Sequence, residues 1–131
     1  MSFQCTLVTP EQQAYDGRIK QAIVPAHDGL IGILTDRAPL LVKLGTGPLR
    51  LDPVDGGSLF YFIAGGIAQM KGNRLTVLTS EAKPAGEIDY EAARAQYAAA
   101  AARHVSDPAA AAARQKELER ARALMATVQK T

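Results

Sequence analysis

The first part of the chain is built of short apolar segments that alternate with polar residues. The segment 3–8 (FQCTLV) places Phe3, Cys5 and Leu7 on one face of a strand and polar or smaller residues on the other. Segment 59–63 (LFYFI) is apolar on both faces, so we expect it to be central in the fold and buried between two layers. This pattern predicts about eight short strands, which is typical of a sandwich or a flattened barrel.

Glycine-containing runs separate these predicted strands. Turns are predicted at Tyr15-Asp16-Gly17, at Gly45-Thr46-Gly47-Pro48 and at Lys71-Gly72-Asn73, because glycine and asparagine accept positive φ at low cost. Gly65-Gly66 more readily marks a bend or bulge where backbones pass closely. Between the apolar segments 30–34 and 39–42 lies the triplet Thr35-Asp36-Arg37, which predicts an exposed polar corner.

Composition changes sharply near Lys83-Pro84-Ala85-Gly86. Before this point lie nearly all the glycines and most of the β-branched and aromatic residues, whereas Ala, Arg, Glu and Gln dominate after it. The former favour pleated strands and the latter favour helix. The predicted fold class is therefore α+β: a β-sandwich domain over residues 1–84 and an antiparallel two-helix hairpin over residues 85–131.

Local signals place both helices. Asp89 is a suitable N-cap for a first helix that runs to about His104, and Asp107 with Pro108 restarts a second helix. The apolar stripes are narrow and mostly alanine: Tyr90, Ala93, Tyr97 and Ala101 on the first helix, and Leu118, Ala121, Met125 and Val128 on the second. Burial of methyl-sized groups stabilises weakly, so we expect a hairpin that is loosely held and able to move.

Overall composition adds little chemistry. The chain of 131 residues is 47% hydrophobic and 21% charged, and its net charge of +2 gives no global field for nucleic acid. No apolar run approaches the roughly 20 residues that span a bilayer, and the N-terminus does not look like a signal peptide. Cys5 is the only cysteine, which excludes a disulfide framework. We expect an intracellular protein that does not itself span a membrane.

Candidate catalytic residues are few. His27-Asp28 lacks a Ser or Cys nucleophile in a recognisable setting, His104 suits a helix end, and Gly29-x-x-Gly32 lacks the ending of a phosphate loop. The penta-alanine runs at 98–102 and 109–113 favour helix and suggest no cofactor. We therefore expect no enzymatic activity, no cofactor and no metal.

Several segments in order resemble the ε (epsilon) subunit of F-type ATP synthase. They are LVTPEQQAYDGRI, HDGLIGILTDRAPLL, FIAGGIAQMKGNRLTVLTSEA and IDYEAARAQ, followed by the helical hairpin. The resemblance implies a non-catalytic central-stalk subunit that couples ion translocation through Fo to ATP synthesis in F1. Its β-domain would clamp the γ subunit against the ring of c subunits, and its hairpin would lie folded or extend along γ toward the α and β subunits. Membrane association would be indirect, at the cytoplasmic face of a bacterial inner membrane.

The resemblance also suggests contact residues. The c-ring contact would comprise Leu30, Thr35, Asp36, Arg37 and Ala38. The family's usual Pro-Gly-His before APL is Thr35-Asp36-Arg37 here, and Leu30 replaces an acidic residue of some relatives, so the charge pairing must differ. For γ we expect Tyr15 and Tyr61, because a tyrosine hydroxyl tolerates a boundary position.

Two further expectations concern the hairpin. Arg114, Lys116, Arg120 and Arg122 would form a basic face toward an acidic segment of the β subunits, and thereby inhibit ATP hydrolysis. Relatives that bind ATP carry an arginine where this chain has an alanine in Ile88-Asp89-Tyr90-Glu91-Ala92-Ala93. A weak nucleotide site would have to use Asp89, Arg94 and Arg103.

Two other functions compete with the stalk subunit. One is a free-standing β-sandwich module that binds a small ligand or a peptide. The other is a small hydrolase or isomerase, which the lack of a nucleophile, base and metal set disfavours. Co-purification with γ and c-ring discriminates a stalk subunit from both.

Overall fold

The computed structural model describes residues 1–131. The strands are β1 (Phe3–Val8), β2 (Gln13–Ala26), β3 (Gly29–Leu34), β4 (Leu40–Pro53), β5 (Leu59–Lys71), β6 (Arg74–Leu78) and β7 (Ala82–Pro84). A 3-10 turn (Ala85–Glu87) leads into α1 (Tyr90–Ala102) and α2 (Pro108–Gln129). The predicted α+β fold, a β-sandwich followed by a two-helix hairpin, is confirmed.

Three long strands, β2, β4 and β5, bend and take part in both layers of the sandwich. The first layer runs from the first half of β2 through β1, β6 and the second half of β5 to the start of β4. The second layer runs from β3 through the second half of β2, the end of β4 and the start of β5 to β7. Because β1 pairs with both β2 and β6, the two layers close into a flattened barrel.

The strands are fewer and longer than predicted, seven where about eight were expected. Two predicted turns are wrong, since Tyr15-Asp16-Gly17 lies inside β2 and Gly45-Thr46-Gly47-Pro48 lies inside β4. Gly45 and Gly47 instead serve the bend by which β4 passes from one layer to the other. The register of β4 on β5 passes from the Leu44–Gly66 pair to the Thr46–Ala64 pair across such a bend.

Two other glycine-based predictions are confirmed. Gly72 and Asn73, with φ of 58° and 56°, form the two-residue turn between β5 and β6. Gly65-Gly66 bends β5, with φ of 70° and 115°. A Cβ on Gly66 would collide with the carbonyl oxygen of Leu78 and come within 2.8 Å of the Thr79 Cα. The backbones therefore pass as closely there as the glycine pair indicated.

The main core fills the space between the layers, with 17 buried residues that include Phe3, Leu7 and Ile63. A second cluster lies outside the barrel, where Phe62 packs against Ala93 of α1 and against Ala123 and Leu124 of α2. Residues 61–63 of β5 are thus buried on both faces, as predicted. Leu59, which is 37% exposed, and the half-buried Phe60 are not, so the predicted burial is wrong for the start of segment 59–63. The second layer that covers residues 61–63 is the helical hairpin.

Both helices begin at the predicted caps. The Asp89 carboxylate accepts a hydrogen bond from the N–H of Ala92 at 3.0 Å, and Asp107 accepts one from Ala110 at 2.8 Å. Helix α1 ends at Ala102, two residues before the predicted end. Its buried alanines are Ala93 and Ala100, whereas the predicted stripe residue Ala101 is exposed.

Candidate functional site

The polar corner after β3 is fixed to the turn between β5 and β6. The backbone N–H of Asp36 donates to Asn73 Oδ1 at 2.8 Å, and Asn73 Nδ2 donates back to Asp36 Oδ1 at 3.0 Å. Asp36 has φ of 62°, a conformation that aspartate tolerates better than most residues. Arg37 and Ala38 are exposed beside this pair, and the buried Thr35 hydroxyl has no hydrogen-bond partner. The corner is thus a polar projection that two hydrogen bonds tie to the β5–β6 turn.

Leu30 does not belong to this corner. It is the second residue of β3, whereas Thr35 follows the last, so the two lie roughly 16 Å apart along the strand. Leu30 is 61% exposed and lines a shallow groove with Ile23, Pro48 and Phe60. The predicted c-ring residues therefore occupy two separate parts of the surface.

Of the two tyrosines expected at a partner surface, Tyr61 is a core residue. It is only 8% exposed and belongs to the main cluster, so its expected boundary position is wrong. Burial, with the nearby Tyr15, raises the pKa of Tyr61 above its usual value. Tyr15 itself is half-buried and packs against the same cluster.

A surface that the sequence did not single out lies on the outer face of the first layer. Ile67 pairs with Leu78 across β5 and β6, and these side chains are 42% and 43% exposed. Leu41, near the start of β4, is 69% exposed. The hairpin lies against β4, β5 and the 3-10 turn, yet these three side chains remain exposed. Period-2 alternation predicts polar residues on an outer face, and these apolar exceptions were a signal that could have been found.

The basic residues of α2 do not form one row. At 100° per residue, Arg114 and Lys116 point about 200° apart, so the four side chains spread around the helix. Arg120 donates two hydrogen bonds to Glu81, at 2.7 and 2.9 Å, and lies over the Phe62 ring, 5.0 Å from its centroid. Arg122 lies over Tyr97, 5.6 Å from its ring centroid, and donates to its hydroxyl.

The remaining two basic residues also differ in their surroundings. Arg114 donates to the backbone carbonyl of Arg103, whereas Lys116 is exposed at a cleft between α2 and the barrel. Arg120 is the residue among the four that ties the hairpin to the barrel. In this folded arrangement, the continuous basic face that was expected does not exist.

The three residues considered for nucleotide binding are not brought together. Asp89 caps α1, Arg94 pairs with Glu91 at 2.9 Å, and Arg103 pairs with Glu117 of α2. Arg103 is the residue that follows α1, nine positions after Arg94, so the two lie on roughly opposite sides of the helix. Each charge already has a protein partner, and the geometry gives no support to a nucleotide site of these residues.

The shifted pKa values of Cys5 and Asp52 have structural causes and do not mark a reactive site. Burial, with a contribution from Asp16, raises the pKa of Cys5 to about 12, so its reactive thiolate is scarce. Asp52 is buried, which raises its pKa, but hydrogen bonds donated by Gln21, Ser58 and Arg50 outweigh burial and hold the pKa below its usual value.

No group of three or more His, Cys, Asp or Glu side chains is placed to hold a metal ion. Neither helix is long and apolar enough to cross a membrane.

Residues 2–85 match the family described as ATP synthase, Delta/Epsilon chain, beta-sandwich domain. The ATP synthase epsilon chain of Rhodopirellula baltica is 36% identical over 122 residues, which cover 93% of this chain and 94% of the relative. This chain belongs to the ATP synthase epsilon family. The predicted family is confirmed.

Other epsilon chains and solved structures agree. The epsilon chain of Synechococcus sp. strain JA-2-3B'a(2-13) is 36% identical over 95 residues, or 72% of this chain and 69% of that one. The fold resembles a chain in the cryo-EM structure of the Euglena gracilis mitochondrial ATP synthase OSCP/F1/c-ring, with a TM-score of 0.87 and 23% identity. That match covers 94% of this epsilon chain and 79% of the other chain. Fold and family therefore agree over more than nine-tenths of the chain.

Proposed function

We propose that this chain is the non-catalytic central-stalk subunit of a bacterial F-type ATP synthase. The observation that carries the proposal is the match to an epsilon chain over 93% of the sequence, helical hairpin included. In this role the chain couples ion flow through Fo to ATP synthesis in F1. It is a peripheral subunit at the cytoplasmic face of the inner membrane, and its partners are γ, the c-ring and, through the hairpin, the α and β subunits.

The c-ring contact is proposed at the polar corner of Thr35, Asp36, Arg37 and Ala38. The Asp36–Asn73 hydrogen bonds support this placement, because a contact that transmits torque needs a projection that does not yield. Exposed Arg37 supplies a charge that can pair with an acidic or carbonyl-rich loop. Leu30 would make a second, separate contact.

The γ contact is proposed on the outer face of the first layer. Leu41, Ile67 and Leu78 supply the apolar centre that a stable interface needs, and they stay exposed with the hairpin folded on the barrel. Tyr61 is removed from the proposed contact by its burial. Tyr15 stays at the margin of the first layer, where β2 pairs with β1.

The hairpin is proposed to regulate ATP hydrolysis by leaving the barrel. Its contact with the barrel combines a small apolar cluster around Phe62 with the Arg120–Glu81 pair. Neither is large, so a folded and an extended position can be close in free energy. Residues 85–131 would then act as a regulatory domain, and residues 1–84 as the domain that binds γ and the c-ring.

Co-purification from native membranes tests the proposal. An affinity-tagged full-length chain should recover γ and the c-ring in stoichiometric amounts under mild detergent. A chain with Ile67→Asp and Leu78→Asp should recover markedly less γ, while Val54→Asp, an exposed apolar residue in a loop of the other layer, serves as the matched control. Recovery of the wild-type chain alone would refute the stalk role and favour a free-standing binding module.

A further inference from the structure

Strand β3 has a free outer edge. It lies at the end of the second layer and pairs only with β2. In that pairing Pro25, which has no N–H, stands opposite Leu30. His27, two residues further along the chain, donates its N–H to the carbonyl of Lys43 in β4, so the odd-numbered residues at this end of β2 point away from β3. Because strand residues alternate in the direction of their backbone groups, β2 bonds to Gly29, Ile31 and Ile33. The N–H and C=O groups of Leu30, Gly32 and Leu34 therefore point away from β2, and no backbone hydrogen bond outside the ladders satisfies them.

This edge lacks the protection found on the other edges of the barrel. Strand β7 is three residues long and ends in a proline, and the first half of β2 carries Asp16 and Arg18. The start of β4 carries Lys43. Short length, proline and charge each discourage pairing with another chain. The sequence GLIGIL of β3 contains no proline and no charged residue.

The side chains beside this edge are apolar and exposed. Leu30 and Leu34 point to the outer face and are 61% and 59% exposed. With Ile23 and Phe60, Leu30 lines a groove of about 240 Å³ that continues the same face. An added strand would cover these leucines and extend the sheet at the same time, which is the recognition mode of β-strand addition.

Charge on this face selects the partner. Arg50 and Lys130 line the groove, and Lys20 lies with Leu34 around a neighbouring hollow. Asp52 neutralises one of these three cations, because it accepts a hydrogen bond from Arg50 at 3.0 Å. A second copy of this chain would bring the same excess of positive charge to the interface, whereas an acidic strand would neutralise it.

We infer that the outer edge of β3 receives an extended, acidic segment of another subunit as an added strand. Its apolar side chains contact Leu30 and Leu34, and its carboxylates face Lys20 and Lys130. This inference rests on the proposed function, because the segment is supplied by a subunit of the same ATP synthase.

Amide hydrogen exchange on the full-length chain, free and in the assembled complex, tests the inference. In the free chain the amides of Leu30, Gly32 and Leu34 should exchange fast, while those of Ile31 and Ile33 are already protected by β2. In the complex the fast set should slow by about tenfold or more. An assembled complex in which these three amides exchange as in the free chain overturns the inference and leaves the stalk role intact.

The remaining outcomes are equally distinct. A free chain that dimerises and protects the same three amides overturns the inference, because a second copy is then the occupant. A chain that enters no complex with γ and the c-ring refutes the proposed function, and the inference with it. Light scattering and co-purification on the same samples separate these cases.

Two variants probe the edge itself. Gly32→Pro removes an outward N–H without touching the β2 ladder, and Leu34→Glu places on the edge a negative charge that repels an acidic segment. Each should lower the affinity of the chain for the rest of the complex by about tenfold. Val54→Glu, at an exposed apolar loop position, is the matched control and should bind as the wild type does. Equal binding by all three variants, each shown to be folded by its thermal unfolding, overturns the inference.

Discussion

Arg120 of α2 and Glu81, the residue before β7, are joined by two hydrogen bonds of 2.7 and 2.9 Å across 39 positions of sequence. The same guanidinium lies over the Phe62 ring, which the hairpin buries completely. One side chain therefore links both contacts that hold the hairpin against the barrel: the ion pair and the small apolar cluster.

Breaking this pair should release the hairpin. Exposed bidentate pairs contribute up to about 1 kcal/mol, so Arg120→Gln or Glu81→Gln should raise the rate of amide exchange in α2 severalfold. The double variant should show no faster exchange in α2 than either single variant, because each single change already removes the same ion pair. Arg94→Gln breaks a pair within α1 and is the control. Unchanged exchange in both single variants would show that the apolar cluster alone holds the hairpin.

The same pair predicts how docking depends on pH. Hydrogen bonds from Arg120 hold the pKa of Glu81 below its usual value, against the opposing effect of burial. A lowered pKa means that the carboxylate stabilises docking above the ordinary carboxyl range and that this stabilisation is lost as pH falls through the lowered pKa. Acidification should therefore loosen α2 in the wild type. In Glu81→Gln this pH effect should be smaller, and equal pH dependence in both would contradict the assignment.

The Asp36–Asn73 hydrogen bonds and the positive φ of Asn73 should contribute separately to stability. Asn73 has a positive φ and makes two hydrogen bonds with Asp36. Asn73→Gly loses the side-chain hydrogen bonds but adopts the positive φ at little cost. Asn73→Ala loses the same hydrogen bonds and is also strained at that φ. We expect the alanine variant to be less stable than the glycine variant by about 1 kcal/mol, with both below wild type. Urea unfolding measures the order, and a glycine variant as stable as wild type would show that the hydrogen bonds add nothing.

Gly66 should tolerate no side chain. A Cβ there would collide with the backbone of Leu78, and the φ of 115° is strained for any L residue. Gly66→Ala should cost roughly 2–5 kcal/mol of the free energy of unfolding. Gly86→Ala is the matched control, because a Cβ at Gly86 meets no atom within 4 Å and should leave stability almost unchanged. Similar thermal unfolding of the two variants would refute the close approach.

Local chemistry explains which features of the fold could be predicted. The caps at Asp89 and Asp107 and the Gly72-Asn73 turn depend on residues within a few positions, and each was correct. The run from Gly45 to Pro48 was misinterpreted, because glycine serves a turn and a bend inside a long strand equally well. Only the pairing of β4 with β5 decides between them, and a single sequence does not contain that information.

The surfaces were harder to predict than the fold. The four basic residues of α2 were grouped by composition, but a turn of 100° per residue separates them. Arg120 and Glu81 are brought together only by the packing of α2 on the barrel, so no short-range spacing in the sequence predicts that ion pair. Tyr61 was assigned to the surface by its hydroxyl, whereas the alternation of β5 buries it with Ile63.

Removal of the hairpin should separate coupling from regulation. Truncation after Ala85 leaves all seven strands in place and uncovers Phe62. We expect a folded barrel, coupled ATP synthesis and a higher rate of ATP hydrolysis than in the full-length complex. Steady-state hydrolysis by inverted membrane vesicles measures this, and an unchanged rate would assign the hairpin a passive role.

The most direct test of the stalk role is ion pumping per ATP hydrolysed, in liposomes that contain the complex with and without this chain. The complex that lacks the chain should hydrolyse ATP with little pumping, and addition of the wild-type chain should restore pumping. Arg37→Glu should restore it only in part, because it reverses the charge of the corner while leaving the Asp36–Asn73 hydrogen bonds intact. Equal pumping per ATP with and without the chain would contradict its assignment as the coupling subunit of the rotor.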